Sequence, residues 1–104
     1  MMSDELVVSE AEGSITVPAA TLARIVVRAA ERVDGARVRR PRRGVDVSVA
    51  DGAAEVSLHL AARYGVALPG LAEHVQAEVR DALEAMCGLD VRRVDVRVEE
   101  LVER

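Results

Sequence analysis

Few side chains in this sequence are equipped for chemistry: His59, His74, Cys87 and the five arginines between Arg37 and Arg43. A metal centre needs three or four converging ligands, and neither histidine has a Cys or His three or four residues further on. Only a His–His–carboxylate set assembled across a sheet is conceivable, so both histidines are expected at the surface and no metal is expected. Cys87 falls at the end of a helical pattern, where the negative end of the helix dipole raises a thiol pKa, so it reads as a half-buried structural thiol and not as a nucleophile. As the lone cysteine it excludes an internal disulfide and a cysteine zinc site. All 14 basic residues are arginine. Without lysine there is neither Schiff-base chemistry nor a phosphate-loop lysine, no serine stands in a nucleophile elbow, and no glycine-rich loop leads from strand to helix. The sequence therefore predicts a protein with no catalytic residues and no cofactor.

The arginine run has the strongest functional pull. Arg37, Arg39, Arg40, Arg42 and Arg43 surround Pro41 in a segment that reads as an exposed loop with a short extended start at Ala36–Val38. Guanidinium forks bind carboxylates and phosphates bidentately. Three readings of the loop stay open: a solvated segment, a docking point for an acidic partner or membrane surface, and a grip on nucleic acid. Composition argues against the last, because the formal charge is −4 and the one aromatic residue, Tyr64, is expected to point into the core. That leaves no platform on which bases could stack.

Two amphipathic helices and a set of one-sided strands must position these groups. Residues 1–12 are acidic and unpatterned and are read as a flexible arm; residues 13–104 are read as a single domain, the size at which one hydrophobic core is usual. Ser14–Val17 is a short strand, Pro18 suits the first turn of a helix, and Leu22, Ile25, Val26, Ala29, Ala30 and Val33 recur at helical spacing up to Asp34-Gly35. The period then changes to two. Val45, Val47 and Val49 alternate with polar residues, Asp51-Gly52 turns the chain, and Val56, Leu58, Leu60, Ala62 and Tyr64 continue the alternation to Gly65. Pro69 opens a second helix with the stripe Leu71, Val75, Val79, Ala82, Leu83 and Met86, with Gln76, Arg80 and Glu84 on its wet side and Gly88 as its left-handed cap. Val94, Val96 and Val98 form a last strand, while Leu89 and Val91 are out of parity and mark a bulge or a strand start near Arg92. The expected fold is α+β, a two-layer sandwich in the order β-α-β-β-α-β, with both helices on one face of a mostly antiparallel sheet.

The other face of that sheet is polar. His59, Arg63, Arg93 and Arg97, with Glu55 and Asp95, would meet there as cross-strand charges and form a second candidate interaction surface. A sheet covered on one side with a free edge is also a natural place for self-association, hence for a homo-oligomer. The chain starts with the acidic Met1–Glu5 and contains no stretch near the roughly 18 apolar residues that span a bilayer. A cytoplasmic location without direct membrane insertion is the expectation.

This arrangement resembles the alkaline shock protein family, the Gls general stress family of Gram-positive envelope stress response proteins. The resemblance rests on Gly13 with its short strand, Val33-Asp34-Gly35 at the helix end, Tyr64-Gly65 at the hairpin end, and Val75-Gln76. It is strongest at Met86-Cys87-Gly88-Leu89 leading into Val94–Val98, where Cys87 stands at a position expected to be Thr. It spans about Gly13 to Val102 and implies a non-enzymatic cytoplasmic protein that supports the cell envelope as a scaffold or adaptor, often tethered by a small membrane anchor protein. The family supplies no catalytic residues. A cytoplasmic regulator binding RNA or another polyanion through Arg37–Arg43 is the alternative.

Overall fold

The structure is a computed structural model and describes residues 5–39 and 44–103. In chain order its elements are β1 (Leu6–Glu10), β2 (Gly13–Val17), α1 (Ala19–Ala30), β3 (Ala36–Val38), β4 (Val45–Ala50), β5 (Ala53–Arg63), α2 (Leu68–Cys87) and β6 (Asp90–Val102). The fold is α+β, as expected, with the two helices packed against one another over the apolar face of one sheet.

Strand β5 is the axis of that sheet. Leu58 lies between Val45 of β4 and Val96 of β6, and Leu60 lies between Val38 of β3 and Val98 of β6. A strand has only two edges, so β3 and β4 must lie end to end along one edge while β6 occupies the other. Opposite His59, the Arg39 N–H donates to the His59 carbonyl at 2.9 Å, and the His59 N–H donates to the Gly44 carbonyl at 2.8 Å. Arg39 and Gly44, the described residues that flank 40–43, are therefore fastened to one residue of β5. Strand β6 joins parallel, because α2 carries the chain back to the end of the sheet at which β5 began. The sheet is thus mixed: antiparallel on the β3/β4 side and parallel on the β6 side.

The core is assembled from small side chains at the spacing the sequence announces. Leu22, Val26, Ala29 and Ala30 of α1 and Val75, Val79 and Leu83 of α2 share one buried core cluster with Val56, Leu58 and Leu60, and Leu71 is buried near the start of α2. Gly52 and Asp51 both have positive φ, +75° and +51°, which gives the tight hairpin between β4 and β5 the twist its strands need. Gly88 closes α2 in the left-handed region at φ +66°. The out-of-parity Val91 is explained by a register shift between Ala54 and Glu55, which leaves Arg92 without a partner on β5.

Several expectations need correction. Part of the segment read as a flexible arm is a strand: Leu6–Glu10 pairs with Gly13–Val17 in a separate two-stranded sheet, and Leu6 is buried in the core. Its three apolar residues, Leu6, Val7 and Val8, are too few to show a period. Tyr64 is 67% exposed, and not in the core, because β5 ends at Arg63 and the next residue overhangs the sheet. Met86 is 69% exposed, since it faces the groove between α1 and α2 instead of the core. Val96 is only partly buried, at the margin of the core.

Candidate functional site

On the wet face of the sheet, charges pair with one another. Arg39 reaches Glu100 in an ion pair across β5. Ala61 lies in register with both Arg37 and Glu100, and its methyl group leaves that path open. His59 Nδ1 is 2.8 Å from Glu99 Oε2, and Arg93 Nε is 2.9 Å from Asp95 Oδ2. The hydrogen bond from His59, aided by the charges of Arg97 and Arg39, holds the Glu99 carboxyl below its usual pKa. At the end of β5 the Arg63 guanidinium grips Asp34 with two hydrogen bonds of 3.1 and 2.8 Å. The pair holds the Asp34 carboxyl below, and the Arg63 guanidinium above, its ordinary pKa.

The two surfaces read separately from the sequence meet here. Arg39, from the arginine run, and His59, from the polar sheet face, bind the carboxylates of the adjacent β6 residues Glu100 and Glu99. Arg37 and Arg97 are exposed and form no ion pair among the described residues. Arg40, Arg42 and Arg43 lie outside the described residues. Glu100 and Asp34 were not anticipated. A register shift between Leu60 and Ala61 moves Glu100 opposite Ala61, so simple alternation, which selects Glu99, passes over it. Asp34 enters only through a turn, where sequence spacing carries no partner information.

The sheet edge formed by β6 is partly closed. Gln76 Nε2 donates to the Val94 carbonyl at 2.9 Å, and Arg80 Nε points at the Val91 carbonyl at 3.5 Å. Both side chains were expected on the wet side of the helix; they occupy the first half of the edge that a visiting strand would pair with. α2 lies beside β6, which brings these long side chains within reach of its backbone.

The remaining reactive groups stay apart. His74 is exposed on α2 and lines an open groove of ≈ 770 Å³, with the Asp34–Arg63 pair on one wall and Leu71, Val66 and Ala67 in its lining. No Ser, Thr or Cys joins it there. Cys87 is half-buried, and burial pushes its thiol pKa up, which makes it a poorer nucleophile at neutral pH. Among the described residues no group of three or more His, Cys, Asp or Glu is arranged to hold a metal ion. Nor is any described helix long and apolar enough to cross a membrane.

These features define a class: a small α+β module whose described residues offer charged and grooved surfaces rather than a converging set of reactive groups. A sequence profile of the alkaline shock protein 23 family, a family of cell envelope-related function, matches residues 37–103, and the chain belongs to that family. Among solved structures it is similar to the MamM CTD, once as a double variant and once as a variant in a cadmium form. The identities are 21% and 22%, over 76% of this chain and 89% and 91% of those, each with a TM-score of 0.49. No curated protein matches the sequence.

Proposed function

We propose that this envelope-related protein is a non-enzymatic cytoplasmic scaffold or adaptor that works through self-association and a protein partner, the partner being a small membrane-anchored protein. One observation carries this reading: on the wet face, Arg39, Arg63 and Arg93 are each already engaged by a carboxylate of the same chain. A phosphate backbone would have to displace those carboxylates before it could be gripped, whereas a protein surface carrying both signs of charge can be met by exchanging pairs. Capture of partners by the tagged protein from separated membrane and soluble fractions tests the adaptor role. A membrane-fraction partner retained at physiological salt is the expected result. Changing Arg37, Arg39, Arg40, Arg42 and Arg43 together to Ser tests the polyanion alternative. RNA binding of submicromolar affinity at physiological salt, lost in that variant, would overturn the scaffold reading.

A further inference from the structure

A second groove, of ≈ 660 Å³, runs between α1 and α2 on the side away from the sheet. Its walls carry opposite charge. Arg24 and Arg28 lie one turn apart on α1 and Arg32 lies just beyond its end, while Glu78 and Asp81 project from α2. Between them lie Ala29 and Ala82, and toward the end of α2 lie Ala85 and the exposed Met86. No arginine of this groove is within ion-pair distance of a carboxylate among the described residues, so the two rails face each other unneutralised.

The order of charge along the groove adds a second constraint. The groove near the end of α1 is shared with the first half of α2, so the helices run antiparallel and Arg32 lies at the level of Glu78. One turn further along, Arg28 lies near the level of Asp81, and Ile25 near that of Ala85 and Met86. Consider two such faces brought together about a twofold axis. An axis across the groove lays arginine on arginine. An axis along the groove keeps every level in place and exchanges the helices, so that α1 of each copy lies over α2 of the other. Arg32 then meets Glu78, Arg28 meets Asp81, and Met86 meets Ile25, each twice by symmetry.

We propose that this groove is the contact surface of a homodimer whose twofold axis runs along it, the occupant of the groove being the same groove of a second copy. The proposal rests on the self-association reading above and names the surface responsible for it. Small residues let the two helical layers approach, and opposite charges at matching levels fix the register and exclude the crosswise arrangement.

Charge reversal tests it. Sedimentation equilibrium of the purified full chain should give a dimer for the wild type. Arg28→Glu with Arg32→Glu, and separately Glu78→Arg with Asp81→Arg, should each weaken dimerisation by at least about tenfold, with circular dichroism unchanged, because all four side chains are exposed or half-buried at the surface. Combining all four changes in one chain should restore the dimer, since the rails are again complementary. Mixing the two double variants should yield a heterodimer, because at the four paired positions one then carries only carboxylates and the other only guanidinium groups. A wild-type dimer that both reversals leave intact would overturn this surface while leaving self-association standing. A wild type that remains monomeric at high concentration would overturn both.

Discussion

Leu58→Ala measures whether the central strand faces the helices as described. Leu58 is fully buried on β5, with Val45 and Val96 beside it across the sheet. Losing three carbons forfeits about 2.4 kcal/mol of transfer free energy at roughly 0.8 kcal/mol per carbon. Collapse around the gap is hindered, because hydrogen-bonded neighbours fix β5 on both edges and most side chains of the core are short valines and alanines. The residual cavity therefore raises the expected loss to about 3–5 kcal/mol. A domain of this size has about 5–15 kcal/mol of stability in all. With a urea dependence of about 1.5–2 kcal/mol per molar, the unfolding midpoint should fall by roughly 2 M. Ser57→Ala, one residue away on the opposite face, is the control and should move stability by no more than about 0.5 kcal/mol. A Leu58→Ala loss below about 0.5 kcal/mol in denaturant unfolding would refute the assignment of strand faces.

Gly88→Ala should cost about 1 kcal/mol in the same assay, because its φ of +66° disfavours a side chain although no atom lies within 4 Å of an added Cβ. Asp34→Asn tests the pair with Arg63: the folded carboxyl titrates below its unfolded counterpart, so its stabilising contribution is complete above the unfolded pKa and is lost as pH falls through the folded one. The thermal midpoints of wild type and variant should thus differ most near neutrality and converge in acid; a gap that widens in acid would contradict the pair. Alkylation of Cys87 at neutral pH should be slower than that of a free thiol and should accelerate as pH rises, since its thiol is held protonated. Cys87→Ser, His59→Ala and His74→Ala should leave partner capture intact. Loss of capture on one histidine change with an unaltered fold would argue for chemistry at that residue.

The elements with a sustained period were legible in the sequence. The stripe Leu71, Val75, Val79 and Leu83 and the alternation Val45, Val47 and Val49 each repeat often enough to fix both type and buried face. The bulge at Arg92 was legible for the opposite reason, as a break in parity before a regular run. What was not legible depends on distance in space. Nothing in the spacing of Gln76 and Arg80 says that β6 runs beside α2, so their backbone contacts look like solvent exposure until the parallel crossover is known. The meeting of Arg39 with Glu100 needs three separate facts: an interrupted edge strand, a small residue at Ala61 and a register shift beyond Leu60. The arginines on α1 and just past its end and the carboxylates on α2 each read as ordinary wet positions; only the antiparallel packing of the helices makes a groove of them.

The fastening of Arg39 and Gly44 to a single residue, His59, gives this fold an insertion port. On either side of residues 40–43 the chain pairs with neighbouring inward-facing positions of β5, Val38 opposite Leu60 and Val45 opposite Leu58, so added chain between them changes neither pairing nor parity. The entropic charge for such lengthening grows only logarithmically, about 0.6 kcal/mol for each doubling. Lineages can therefore vary the length and chemistry of this segment independently of the domain's stability, and an experimenter can graft an epitope or a fluorophore site there without repacking a single valine of the core.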